Sequence, residues 1–252
     1  DPFGALMQRT LLTEGVDITY LKQDEWHRTS AVLVDLNDQG ERSFTFMVRP
    51  SADLFLETTD LPCWRHGEWL HLCSIALSAE PSRTSAFTAM TAIRHAGGFV
   101  SFDPNIREDL WQDEHLLRLC LRQALQLADV VKLSEEEWRL ISGKTQNDRE
   151  ICALAKEYEI AMLLVTKGAE GVVVCYRGQV HHFAGMSVNC VDSTGAGDAF
   201  VAGLLTGLSS TGLSTDEREM RQIIDLAQRC GALAVTAKGA MTALPCRQEL
   251  EW

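Results

Sequence analysis

A run of small residues, Asp192-Ser193-Thr194-Gly195-Ala196-Gly197-Asp198, stands immediately before an apolar stretch with the pattern of a helix. Small residues let backbone amides approach a ligand closely, and the first turn of a helix directs several unpaired N–H groups toward one point. Asp198, within that turn, can accept a proton from an attacking hydroxyl. Phosphoryl transfer requires hydrogen-bond donors that bind the anionic phosphate, fixed in place beside a base. The alternative is structural, with Asp198 complementing the helix dipole and Gly195 and Gly197 shaping a tight turn.

A second polar cluster, Asp103-Pro104-Asn105-Ile106-Arg107, follows a short apolar run. A residue before proline is kept extended, and polar residues after a strand tend to lie on a loop at the edge of a sheet. We therefore expect Asp103, Asn105 and Arg107 on such a loop, where an arginine can bind phosphate or sugar oxygens. An Asx-type turn with a solvated arginine is the alternative.

Two further segments have the spacing of turns and caps. Ser134 and Glu137 have the spacing of a capping box, in which each side chain binds a backbone N–H of the other residue. Thr166-Lys167-Gly168-Ala169-Glu170-Gly171 joins two β-rich runs and, taken alone, favours an ordinary hairpin with glycine in the turn.

Strands alternate with helices over most of the chain, and these segments fall at strand ends. Strands are predicted at 69–74, 99–102, 129–133, 161–166, 171–176 and 180–183. Helices are predicted at 82–96, 115–127, 196–208 and 217–237, and one more opens after Ser134. This pattern predicts an α/β fold with a mainly parallel sheet between two layers of helices, which binds ligands beyond the carboxyl ends of its strands. Earlier in the chain, β-rich runs at 30–36 and 41–48 flank Asn37-Asp38-Gln39-Gly40 and predict a hairpin that forms part of a small β lid.

Composition limits the class of protein. With 252 residues, 46% hydrophobic and 23% charged, the chain can form one large domain. Its net charge of -12 disfavours nucleic acid and anionic membranes as partners, and no apolar run approaches the ~20 residues that span a bilayer. Eight cysteines without a C-x-x-C pair indicate buried thiols in a reducing cytoplasm.

The run from Asp192 to Leu205 resembles the C-terminal signature of the PfkB, or ribokinase-like, carbohydrate kinases. The resemblance covers essentially the whole chain and is greatest to the bacterial fructokinases of sucrose utilisation. It implies the ribokinase-like fold and ATP-dependent phosphorylation of a primary hydroxyl of fructose. It also implies that Asp198 is the catalytic base and that the amides of Gly195, Ala196 and Gly197 form an anion hole. Aminoimidazole riboside, or another ribonucleoside or ribose, is the alternative substrate.

Other segments match the same family in order. The Thr166 turn is similar to the family's Thr-x-Gly-x-x-Gly turn, so Thr166, Gly168 and Gly171 are implied nucleotide ligands. Ser134 stands where the family's Asn-x-x-Glu motif has asparagine, which makes Ser134 a further nucleotide ligand. It also makes Glu137 a residue that holds Mg²⁺ through water, because magnesium keeps much of its hydration shell.

The resemblance also implies sugar and cation ligands. Asp103, Asn105 and Arg107 correspond to a substrate-binding segment of fructokinase-like members, and residues 41–46 and 49–53 resemble their lid strand and sugar-facing loop. The segment 234–245 resembles a loop that binds a monovalent cation, for which potassium is the candidate. The implied cation ligands are Asp192 and the carbonyls of Thr194, Ala234, Ala237 and Gly239. For Gly239, a turn that ends a helix is the alternative.

In this family a first strand, a sugar-binding aspartate and a Gly-Gly-x-x-x-Asn motif precede the segment that Asp1-Pro2-Phe3-Gly4 resembles. We therefore expect residues 1–252 to be a single kinase domain that lacks this N-terminal segment. Exposed strand edges would favour cover by a partner chain, and a homodimer through the lid is the candidate assembly. Two hypotheses follow: an active sugar kinase of which this is most of the chain, or a truncated and catalytically silent nucleotide-binding protein.

Overall fold

The structure, a computed structural model, describes residues 1–36, 42–47, 50–213 and 216–250, and within them six strands form one central sheet. The strands lie side by side in chain order: β3 (Trp69–Cys73), β4 (Phe99–Asp103), β5 (Val130–Ser134), β6 (Met162–Thr166), β7 (Gly171–Tyr176) and β8 (Gln179–Ala184). Strands β3 to β6 pair in parallel, whereas β7 runs antiparallel to β6 and β8 antiparallel to β7. The sheet is therefore mixed but mainly parallel, which confirms the predicted α/β class.

Helices cover both faces of this sheet. One face packs against α2 (Ser82–His95), α3 (Glu114–Leu127), α4 (Glu135–Ser142) and α5 (Asp148–Glu157), and the other against α6 (Ala196–Thr211) and α7 (Glu217–Ala234). Alternate residues of a strand point to opposite faces, so Val131 and Leu133 of β5 enter the first core and Val130 the second. The result is the three-layer arrangement predicted from the sequence.

Short elements complete the chain. Helix α1 (Pro2–Thr13) precedes the sheet and buries none of its residues. Strands β1 (Ala31–Leu36) and β2 (Arg42–Met47) pair antiparallel, as the predicted hairpin requires, while its expected turn at Asn37-Asp38-Gln39-Gly40 lies outside the described residues. Further 3₁₀ turns lie at Ala52–Phe55, Thr58–Asp60, Ser74–Leu77, Glu108–Leu110, Gly168–Glu170 and Arg247–Glu249.

Several element boundaries differ from the predicted ones for identifiable reasons. Helix α7 ends at Ala234 rather than at residue 237, because the carbonyl of Val235 turns back to accept hydrogen bonds from the amides of Val191 and Asp192. Helix α6 continues beyond the predicted end at residue 208 to Thr211. Its added polar turn is satisfied internally, since the Ser210 hydroxyl donates to the Thr206 carbonyl.

Helices α6 and α7 pack closely because two glycines of α6 face α7. A methyl group added to Gly203 would lie 2.9 Å from Ala227 Cα, and one added to Gly207 would lie 2.6 Å from the side chain of Ile223. The two helices therefore form one tightly packed hairpin whose N-terminal end carries the glycine-rich run.

The expectation that the cysteines are buried thiols is only partly correct. All eight are free, and Cys120, Cys175 and Cys230 are buried, but Cys63 and Cys190 are exposed, as is Cys246. Among the described residues, no helix is both long enough and apolar enough to span a membrane.

Candidate active site

The glycine-rich run turns sharply into α6. Gly195 caps the helix with φ +80°, a backbone conformation that favours glycine. A methyl group added there would also lie 2.6 Å from the Ala240 carbonyl oxygen, so the close approach of the two segments requires glycine as well. The first-turn amides of α6 have no acceptor within the helix, although the Ala196 amide donates to the Ser193 carbonyl at 3.3 Å. Gly195, Ala196 and Gly197 therefore lie at the helix start, as expected, while their role as an anion hole stays a prediction.

A buried ion pair lies directly beneath this helix start. Lys132 of β5 donates from Nζ to Asp103 Oδ2 of β4 at 2.9 Å, and the two residues are only 9% and 3% exposed. A methyl group added to Gly197 would lie 3.1 Å from Lys132 Nζ, so the ammonium reaches the anion hole from below. Sequence reasoning did not select Lys132. The signal was present, because Lys132 is the one charged residue of the strand Val130–Ser134.

Asp103 has a strongly perturbed carboxyl group. Burial raises its pKa to about 6, against the opposing effect of Lys132, and the charges of Glu137 and Asp198 raise it further. Its second oxygen, Oδ1, is buried with no hydrogen-bond partner among the described residues. The expected loop position of Asp103 is wrong by one residue, because Asp103 pairs with Cys73 and ends strand β4.

Asp198, the sequence-predicted base, lies in the first turn of α6 and is exposed. Its charge nevertheless acts on Asp103, so it stands within electrostatic reach of the buried pair rather than on a remote surface. An exposed carboxylate beside a row of amide donors is open to an incoming hydroxyl.

The loop after β4 approaches the hairpin of β1 and β2. Asn105 has φ +45°, a left-handed conformation uncommon outside glycine. Arg107 donates to the Ile106 carbonyl, and its guanidinium carbon lies 6.0 Å from the centre of the Phe46 ring of β2. Arg107 therefore lies beside the hairpin, and Asn105 lies on the loop that joins it to the end of β4, while their substrate contacts stay predictions.

Glu137 connects two segments of the site. Its Oε2 accepts from the Ser134 amide at 2.8 Å, the Ser134 hydroxyl accepts from the Glu137 amide at 3.2 Å, and the capping box is complete. Its Oε1 accepts from the Ile106 amide at 2.9 Å and so holds the loop after β4. The structural alternative is therefore present, while the magnesium role of Glu137 stays a prediction.

The side chains of this site suit a hydrated Mg²⁺ better than an ion that is enclosed by protein ligands. Among the described residues, no three or more His, Cys, Asp or Glu side chains cluster as a metal site. Magnesium bound to nucleotide phosphates needs few protein ligands and keeps several waters. Glu137, with both oxygens accepting backbone hydrogens, is suited to contact such a water rather than the ion.

The turn at 166–171, which is predicted to bind the nucleotide, lies at the same sheet edge. Ser134 and Thr166 are register partners in adjacent parallel strands, and the Thr166 hydroxyl donates to the Leu133 carbonyl at 3.2 Å. Gly168 and Gly171 both have positive φ, and a methyl group on Gly171 would overlap the Phe183 carbonyl oxygen. Glycine is thus required by the turn itself, and nucleotide contacts of Thr166, Gly168, Gly171 and Ser134 stay predictions.

Asp192 contacts two of the other implied cation-binding residues, Thr194 and Gly239. Its Oδ1 accepts from the Thr194 amide and its Oδ2 from the Gly239 amide, both at 2.9 Å. Asp192 thereby joins the start of the glycine-rich run to the segment 234–245, which starts at the last residue of α7, Ala234, and includes Ala237. Gly239 has φ +100° and follows the helix by several residues, so it does not form the turn that ends the helix. Cation binding stays a prediction.

A model of the pfkB family of carbohydrate kinases matches residues 1–247. The chain belongs to the pfkB carbohydrate kinase family. Over 251 residues it is 99% identical to a fructokinase of Escherichia coli, and the match covers 100% of this chain and 82% of that one.

Solved structures of this family share the fold. A double-mutant fructokinase from Vibrio cholerae O395, bound to fructose, ADP and a potassium ion, superposes with a TM-score of 0.93 at 47% identity, covering 100% of this chain and 81% of that one. An aminoimidazole riboside kinase from Salmonella enterica, complexed with aminoimidazole riboside and an ATP analogue, has a TM-score of 0.88 at 33% identity, covering 98% and 80%. As a pfkB kinase, this chain therefore has the ribokinase-like fold and the sugar kinase activity that the resemblance implied.

Proposed function

We propose that this pfkB kinase transfers the terminal phosphoryl group of ATP to a primary hydroxyl of fructose. The observation that carries the proposal is the glycine-formed start of α6, which presents amide donors beside the exposed carboxylate of Asp198. Fructose as the acceptor is favoured by the 99% identity to a fructokinase.

In the proposed reaction, the oxygen of the sugar hydroxyl forms a bond to the terminal phosphorus of ATP, and Asp198 accepts the hydroxyl proton. The bond between that phosphorus and the bridging oxygen breaks, and ADP leaves. The amides of Gly195, Ala196 and Gly197 stabilise the charge on the equatorial oxygens. Arg107 orients substrate oxygens, together with Asn105 and Asp103. Such positioning lowers the barrier because the reacting groups need not be brought together in the transition state.

We propose Mg²⁺ and a monovalent cation as the metal ions of this site. Mg²⁺, when bound, supplies positive charge to the nucleotide phosphates, and Glu137 would contact its hydration shell. Potassium would bind beside Asp192, at the carbonyls of Thr194, Ala234, Ala237 and Gly239. The potassium ion in the fructokinase from Vibrio cholerae O395 supports the second proposal.

We further propose that the hairpin of β1 and β2 acts as a lid and as a homodimer contact. Val32 and Val34 are 45% and 49% exposed, and Leu33, on the opposite face, is 59% exposed. A two-stranded hairpin with apolar side chains on both faces is marginal alone, so one face could cover the sugar and the other a second copy. Sedimentation of the chain with and without a Val34→Asp change tests this, because the substitution should shift a dimer to monomer.

We propose a cytoplasmic location, because eight cysteines without a C-x-x-C pair favour thiols in a reducing compartment.

A substrate panel tests the reaction. The chain is incubated with ATP, Mg²⁺ and either fructose, aminoimidazole riboside or ribose, while ADP release is followed and the sugar phosphate is identified by mass spectrometry. Fructose phosphate as the main product supports the proposal, and a preference for the riboside would refute the choice of sugar. Calorimetric binding of ATP–Mg²⁺ with neither sugar binding nor product would instead favour a silent nucleotide-binding protein.

A further inference from the structure

The ion pair of Lys132 and Asp103 sits where the fold otherwise uses apolar side chains. On the α6 side of the sheet, Lys132 follows Val130 in its own strand and pairs with Leu164 in the next, and both of these neighbours are fully buried. Removing an ammonium and a carboxylate from water costs more than an apolar pair of similar size would. Perturbed, buried charges of this kind cluster at functional sites.

The position of the ammonium is unfavourable without a ligand. Lys132 Nζ approaches Gly197 in the first turn of α6, where the helix dipole already contributes positive charge. Asp103, whose Oδ2 lies 2.9 Å from Nζ, neutralises the charge of the ammonium but not that of the helix start. An anion bound at the helix start would meet both the amides and the ammonium.

A second observation indicates that the pair is incomplete as it stands. Asp103 is 3% exposed, yet its Oδ1 has no hydrogen-bond partner among the described residues. A buried acceptor left unpaired is costly, so such a group marks a place where a ligand, its water or its proton is accommodated.

We propose that Lys132 is a catalytic residue that binds the transferring phosphoryl group from beneath the anion hole, and that Asp103 is the positioning residue that holds its ammonium there. The inference rests on the proposed function, because it assigns the anion at the start of α6 to the terminal phosphate of the nucleotide. It also changes the role of Asp103 from a sugar ligand to a group that acts through Lys132.

The test compares binding of a non-hydrolysable ATP analogue and of ADP, each with Mg²⁺, by calorimetry. The variants are Lys132→Met, Lys132→Arg, Asp103→Asn and the double change Asp103→Asn with Lys132→Met. The matched control is Lys156→Met, on the exposed C-terminal turn of α5. Thermal unfolding of each variant without ligand shows which of them fold.

Lys132→Met should weaken the triphosphate analogue about 10-fold or more while ADP affinity changes little, as for a lost hydrogen bond to a charged group. Lys132→Arg should recover part of that loss, and Asp103→Asn should lower turnover more than it raises the nucleotide KM. The double variant is decisive, because it removes both charges together and leaves no unpaired buried charge that could destabilise the fold. A stable double variant that still loses triphosphate affinity supports the proposal.

Two results would overturn this inference alone, and a third would overturn the proposed function as well. A double variant that binds the triphosphate as tightly as the unchanged chain makes the pair merely structural. If Lys132→Met weakens the binding of the ATP analogue and of ADP equally, Lys132 does not bind the terminal phosphate. If the unchanged chain binds neither nucleotide, the proposed function fails and this inference fails with it.

Discussion

Replacing Glu137 by glutamine separates its structural role from its predicted role at the metal. The carboxylate accepts two backbone N–H groups from different segments, those of Ser134 and Ile106. Glutamine has one acceptor oxygen, so its amide group must face one of these donors. A hydrogen bond to a charged group contributes about 1.5–3 kcal/mol, and an unpaired buried donor has a comparable cost. We therefore expect Glu137→Gln to lower the free energy of unfolding by about 2–3 kcal/mol, or the melting temperature by roughly 5–10 °C for a chain of this size.

Glu136→Gln is the matched control, because the same charge is lost one residue away on an exposed side chain. Melting temperature is measured for both variants, and ADP release is then titrated with Mg²⁺. If Glu137 also contacts the hydrated ion, Glu137→Gln should raise the Mg²⁺ concentration for half-maximal rate, while Glu136→Gln should not. Equal melting temperatures of the two variants would refute the hydrogen-bond argument. An unchanged magnesium requirement would refute the metal role alone.

Three further predictions concern the helix start and the ion pair. Asp198→Asn should lower turnover about 100-fold or more with nucleotide affinity little changed, and near-normal turnover would exclude it as the base. Gly195→Ala should lower the melting temperature more than Gly143→Ala does. Both glycines have positive φ, but only at Gly195 would the methyl group meet backbone, whereas Gly143 has open space around it. Because burial raises the pKa of Asp103 to about 6 from 3.8, the folded state holds that proton to a higher pH than the unfolded state. Asp103 should therefore reduce stability as pH rises from about 4 to about 6, by on the order of 3 kcal/mol, and urea unfolding of Asp103→Asn should lack that component.

The elements of the sheet could be predicted because their burial pattern is local. The central strands β4 to β7 are short, mostly apolar runs, and the helices after β3 show apolar residues at helical spacing. Helix α5 was missed although its signal was present, since Asn147 caps it and Ile151, Leu154 and Ala155 share its buried side. Helix α1 gave a weaker signal because none of its residues is buried.

The candidate site was predictable only where one segment carries it. The glycine-rich run has its chemistry within seven consecutive residues, so its position at a helix start follows from the local pattern. Lys132 and Asp103 stand 29 residues apart, and Glu137 stands 31 residues from Ile106. Contacts over such separations depend on which strands are neighbours, and the order of strands in a sheet is not contained in any single segment.

The close packing of α6 on α7 makes the connection after Thr211 a suitable point at which to split the protein. With 16 residues at ~1.5 Å each, α6 carries that connection about 24 Å from the glycine-rich run. Two fragments divided there could reassemble through Gly203 and Gly207, and the bond from Gly239 to Asp192 would secure the opposite end. Fused to two interacting proteins, such halves would report their proximity as sugar phosphate formed.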